Sequence, residues 1–187
     1  MVGENWFLIH FDMSRHEKGV ILDLLDRDTD TEIDPYLFAE GQKVHYDGVV
    51  VALPDVPLPD YTQTYAGVPI VSQPCYDALS DLISGDVQVF PVLVGMENRF
   101  LLNVWRSVKC LDVDRSGRLE HRDVIGGDPD DYHSIDDPFL VESMIPHGTN
   151  MFRLGNNAVW LIVSNKIRDL FIEREIGGAS FTPIRSG

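Results

Sequence analysis

The sequence predicts an α+β protein of mixed and antiparallel sheets with few helices, whose C-terminal part holds two related strand–helix–strand units. Three observations carry this. Short apolar runs rich in β-branched and aromatic residues recur from Trp6 onward, at lengths suited to strands. The stretches "PIVSQPCYDALSDLISGDVQVFPV" from Pro69 and "LIVSNKIRDLFIEREIGGASFTPI" from Leu161 echo each other. Both run Ile-Val-Ser, an acid five residues after the Ser, an amphipathic stretch, Gly, then Phe and Pro. Finally, "LPDVPLPDY" carries Pro54, Pro57 and Pro59, so it can be neither helix nor central strand. It divides a β-rich segment, residues 1–60, from a domain spanning 61–187.

In chain order, "WFLIHF" and "DGVVVAL" read as strands, separated by the acidic run "LDLLDRDTDTEIDP". In the first echo unit Ser72 is placed as an N-cap and Pro74 fits the first turn, where its missing N–H is not required. Tyr76, Leu79 and Ile83 supply an apolar stripe. Ser164 takes the same capping place in the second unit, with Ile167, Leu170 and Phe171 as its stripe. Gly85 and Gly177 suit the left-handed residue that ends a helix. Between the units, "RFLLNVWRSVKCL" fits both periods, and its β-branched and aromatic content favours strand. "MFRLGNNAVWLIVS" reads as a hairpin turning at Gly155, Asn156 and Asn157.

With 187 residues, 44% of them hydrophobic, the chain can bury a sizeable core. Its charge is less ordinary: 30 Asp and Glu against 15 Lys and Arg give a formal −15. That field disfavours nucleic acid and anionic membranes and speeds encounter with basic partners. Cys75 and Cys110 are too few and too irregularly spaced for a disulfide scaffold or a CxxC metal site, and read as buried thiols in a reducing compartment. The apolar run Trp6–Ile9 is too short for a signal peptide, and no stretch approaches a membrane helix. A cytoplasmic protein is expected.

One segment resembles a calcium loop. In "LDVDRSGRLEHRDV", Asp112, Asp114, Ser116, Glu120 and Asp123 fall at ligand positions of an EF-hand loop, with Gly117 at the turn. A calcium-binding module is therefore the alternative reading. Against it, the "VIGGDPDD" that follows has Gly126, Gly127 and Pro129, which leave no exiting helix. The chain carries no GxSxG elbow, Walker loop, GxGxxG or HExxH, and its six histidines lack metal-ligand spacing.

Two acidic clusters remain. The first lies between Asp23 and Asp34 and includes Asp26, Asp28 and Asp30. The second, "GGDPDDYHSIDDPF", carries Asp128, Asp130, Asp131, Asp136 and Asp137 around Tyr132. Each is either a solvated loop or a docking surface for a basic protein, in which carboxylates steer the encounter and an aromatic anchors it. On a nuclease, such a surface could fill the groove meant for phosphates.

"PIVSQPCYDAL", "VFPVLV…RFLLNVWRSVKCLDVDRS" and "MFRLGNNAVWLIVSNKIRDLFIEREIGGASFTPI" resemble immunity proteins of bacterial polymorphic toxin systems, the group numbered eleven, over residues 66–184. The most specific part is Phe152-Arg153-Leu154, then Ile162-Val163-Ser164, then Phe181 and Pro183. The resemblance implies a cytoplasmic protein that binds and neutralises a cognate toxin, with no cofactor and no catalysis. It supplies no interface motif, and residues 1–60 carry none of the resemblance. Acidity makes a nuclease the first expectation for the toxin.

Overall fold

The computed structural model describes residues 5–15, 20–21, 23–47, 50–52, 57–121 and 131–187. From the N-terminus the chain forms β1 (Trp6–Phe11), β2 (Val20–Ile21), β3 (Leu24–Asp26), β4 (Thr31–Ile33), a 3₁₀ turn (Pro35–Phe38) and β5 (Val50–Ala52). There follow β6 (Tyr61–Thr64), β7 (Pro69–Val71), α1 (Gln73–Ile83), β8 (Val87–Val94), β9 (Glu97–Val104) and β10 (Ser107–Val108). The remainder is β11 (Leu119–His121), β12 (Tyr132–Ile135), β13 (Phe139–Leu140), a second 3₁₀ turn (Glu142–Met144), β14 (Met151–Leu154), β15 (Asn157–Ser164), α2 (Asn165–Glu173) and β16 (Ala179–Ser186). Among the described residues these make an eight-stranded sheet, β2-β6-β7-β9-β8-β5-β3-β4, a six-stranded sheet, β10-β14-β15-β1-β16-β13, and a β11–β12 ribbon. The α+β class with few helices is as the sequence predicts.

The sequence echo becomes a shared arrangement. β7 and β8, joined by α1, both pair antiparallel with β9 and so run parallel on either side of it. β15 and β16, joined by α2, flank β1 in the same way. In the first unit the central strand follows directly through a hairpin. In the second it is the first strand of the chain, so residues before 60 lie at the heart of the C-terminal sheet.

The run Trp6–Ile9 in β1 is unbroken apolar because both faces of its sheet are covered. Phe7 and Ile9 point to a core shared with α1, α2 and the eight-stranded sheet. Trp6 and Leu8 point to a second core beneath the β11–β12 ribbon. β15 alternates likewise, with Leu161 and Val163 on the first face and Ile162 on the second. The expected β14–β15 hairpin forms and turns at Gly155 and Asn156, while Asn157, expected in the turn, opens β15 opposite Leu154.

The helices differ in detail from the sequence reading. The buried stripe of α1 is Cys75, Leu79 and Ile83, and Tyr76 is half-buried, stacked on Phe100 at 4.5 Å. Burial pushes the Cys75 thiol up to about 12, which makes it a packing group. Ser72 does cap α1, accepting the Cys75 N–H at 3.3 Å. Ser164 sits at the cap position of α2 but its hydroxyl donates to Asn150 Oδ1 at 3.0 Å instead. Neither Gly85 nor Gly177 adopts the left-handed conformation. Helix α2 ends on Glu175 at φ 53°, with Ile176 N–H bonded to Phe171 O at 2.9 Å, a Schellman closure built on a non-glycine residue. Gly178, at φ +97°, is required for another reason: any Cβ there would overlap the Tyr61 carbonyl oxygen.

The eight-stranded sheet curls back on itself. Only residues 22 and 23 separate β2 from β3, at most about 11 Å of extended chain. In a flat sheet of this strand order the two strands would stand roughly 29 Å apart. The curl wraps a core of Leu24, Phe38, Val50, Val68, Ile70 and Val92, among others. The proline-rich stretch cannot pair as a strand, and Arg99 serves its carbonyls instead. The guanidinium donates to Leu58 O at 2.9 Å and Pro59 O at 2.6 Å.

Candidate partner-binding surface

The calcium-like loop is closed by its own side chains. Asp112 Oδ2 accepts Arg115 Nε at 2.8 Å, and Oδ1 accepts the Arg115 backbone N–H at 3.0 Å. These bonds, the backbone N–H first, hold the Asp112 carboxyl below its ordinary range. The Ser116 hydroxyl donates to Asp112 O at 2.6 Å and accepts Phe139 N–H at 3.0 Å. Gly117 answers a packing demand: a Cβ would lie 2.7 Å from Asp136 O. Strand β10 precedes the loop where an EF-hand needs a helix, and β11 falls within the loop itself. Among the described residues no three His, Cys, Asp or Glu side chains converge as a metal site. The Asp114 backbone N–H also bonds the Asp112 carboxylate, Glu120 pairs with Arg118 at 2.8 Å, and Asp123 lies outside the described residues.

Of the second acidic cluster, Asp128 and Asp130 also lie outside the described residues, and Asp131 opens the described part. Tyr132 is turned inward, 4% exposed, with its ring 4.8 Å from that of His121. Asp136 is exposed at the bend into β13. Asp137, at φ 43°, is bound by Arg185 at 2.7 Å. The guanidinium of Arg115 lies 3.6 Å over the Phe139 ring, with that of Arg185 at 5.5 Å from the same ring. Acids and bases are thus interleaved at the foot of this loop, with Asp136 exposed beside them.

The first cluster sits on a different sheet, in the β3–β4 hairpin. Asp26 organises its turn: Oδ1 accepts the N–H groups of Asp28 and Thr29, each at 3.0 Å, and the Thr29 hydroxyl at 3.1 Å. Its other oxygen accepts the Tyr46 hydroxyl at 2.5 Å. Asp30 takes φ 54° at the tip, as short polar residues can. Asp28 and Asp30 therefore stand exposed on a turn held by a third acid, Asp26.

The sequence reading did not single out the neighbourhood of this hairpin that presents aromatic surface. Tyr36 and Tyr65 are 47% and 48% exposed, with ring centroids 5.7 Å apart. A local signal existed: Asp34-Pro35 is a capped turn start, and Asp34 Oδ1 accepts Tyr36 N–H at 2.9 Å. Tyr65 had none, because its partner comes from a separate element.

A family model described as an immunity protein family, Imm11, matches residues 7–186. The match extends the resemblance from residues 66–184 to nearly the whole chain, taking in β1 to β16. No curated protein matches the chain.

Proposed function

This chain belongs to the Imm11 immunity protein family, and from that premise we propose that it binds a cognate antagonistic toxin stoichiometrically and neutralises it without chemistry of its own. The family match over residues 7–186 is the observation that carries this reading. The net charge of −15 supports a basic partner surface, because long-range attraction raises the encounter rate of oppositely charged proteins. Asp28, Asp30 and Asp136 are exposed on turns whose geometry is set by other residues, so they meet a partner at little ordering cost. A toxin that handles nucleic acid would present such a basic surface in its phosphate groove, and the cytoplasm of the producing cell is where it would be met.

The test is protection. Cells induced to make the toxin should survive when this chain is co-expressed, and the two proteins should co-purify as a stable complex. Charge reversal at Asp28, Asp30, Asp131 and Asp136 should slow association and flatten its salt dependence. Unchanged association kinetics in that variant would remove the acidic surface from the interface. Failure of the intact chain to protect would remove the function.

A further inference from the structure

Tyr36 and Tyr65 arrive at one place from different parts of the chain. Tyr36 is in the first 3₁₀ turn, and Tyr65 is in the turn between β6 and β7. Their rings meet at 71°, an edge-to-face contact, and leave about half of each side chain in water. Leu37, 40% exposed, follows Tyr36 in the same turn. Other exposed apolar side chains, such as Met96 on a hairpin tip and Ile172 on α2, stand on separate elements and need no explanation.

The patch is rimmed by one sign of charge. The Tyr65 hydroxyl is held above its ordinary range by the packing around it and then by the fields of Asp34, Glu32 and Asp23, with Tyr36 also contributing. Asp34 is fixed beside Tyr36 by accepting its N–H at 2.9 Å, Glu32 lies on β4 two residues before it, and Asp23, Glu32 and Asp34 are all exposed. An aromatic pair with a carboxylate rim is complementary to Arg and Lys: the cation lies against a ring while its N–H groups meet the acids.

The patch is also rigid before any partner arrives. Pro35 and the Asp34 cap fix the 3₁₀ turn, and the fully buried Phe38 anchors it to Phe90 at 5.3 Å. On the other side, Gly67 N–H donates to Thr64 O at 2.9 Å, and Gly67 O accepts Arg153 Nη2 at 3.2 Å. Arg153 Nη1 reaches Val159 O at 3.4 Å, so one buried guanidinium joins the Tyr65 turn to β15. Preorganised tyrosines lose little side-chain entropy on binding and dominate hot spots.

We infer that the surface of Tyr36, Leu37 and Tyr65, rimmed by Asp23, Glu32 and Asp34, is the docking hot spot of this protein and receives a basic, Arg- or Lys-bearing segment of the toxin. This rests on the toxin-binding reading above and names where that binding is concentrated.

The test uses the full chain with Tyr36→Ser and Tyr65→Ser combined, checked for an unchanged thermal melt. Cells deleted for the chain are challenged by parent cells, with wild-type or variant protein supplied in trans. The wild type should restore survival, and the variant should lose about tenfold or more of it. In parallel, a phage-displayed library of short random peptides is selected on the wild-type protein. Arg- and Lys-rich sequences should emerge and bind the variant about tenfold more weakly. A folded variant that protects in full overturns the hot spot and leaves toxin binding standing. Selected peptides without basic residues, or bound equally by the variant, overturn the partner chemistry. If the deleted cells are not killed at all, the toxin-binding reading falls and takes this inference with it.

Discussion

Arg185 grips Asp137 with two bonds, Nε to Oδ1 at 2.9 Å and Nη2 to Oδ2 at 2.7 Å, tying the last strand to the second acidic loop. The same Nη2 donates to Arg115 O at 3.0 Å, so the pair also closes the calcium-like loop. Both side chains are at least half exposed, 50% and 67%, and water screens them. Arg185→Ala should therefore cost only about 0.5–1 kcal/mol in urea unfolding, and less in high salt.

Asp26 should set part of the acid sensitivity of the fold. The Tyr46 hydroxyl first, then the Thr29 N–H, hold its carboxyl below the ordinary 3.8. A depressed folded value means the stabilisation is full above 3.8 and disappears as pH falls through the lower folded value. Asp26→Asn should thus lower the urea midpoint at neutral pH, with the gap to wild type closing in strong acid. Tyr46→Phe should reproduce part of that gap.

Arg153 is 0% exposed, and burial pulls its guanidinium down to about 10, so it remains charged at neutral pH. Met in its place would fill much of the space but leave Gly67 O and Val159 O without this donor. Arg153→Met should destabilise by about 1–3 kcal/mol in urea unfolding. Hydrogen exchange should accelerate first at the Tyr65–Gly67 turn.

The two helix ends give opposite signs. Ser72→Ala removes the α1 cap and should cost about 1 kcal/mol. Glu175→Gly relieves a left-handed non-glycine residue and should raise the melting temperature, by about 0.5–1 kcal/mol of stability.

What the sequence could tell was local. The echo from Pro69 and Leu161 predicted both strand–helix–strand units, because cap, stripe and strand each leave a short-range pattern. It could not place β1 between β15 and β16, since that register is fixed by two-sided burial of Phe7 and Trp6 against segments more than a hundred residues away. Ser164 looked like Ser72 until Asn150 captured its hydroxyl. Gly117 looked like the turn of a metal loop until Asp136 was found against it. The acidic clusters were visible as charge, but which acids organise turns and which face water depends on Tyr46 and Arg185, far along the chain. Tyr36 and Tyr65 had no shared sequence signal.

The most direct measurement mixes the purified chain with the purified toxin, follows complex formation by light scattering, and assays residual toxin activity. Toxin activity should fall linearly with added protein and vanish at one equivalent, with a single complex of the summed mass. Residual activity that persists at excess protein, or falls catalytically at far below one equivalent, would contradict neutralisation by stoichiometric binding.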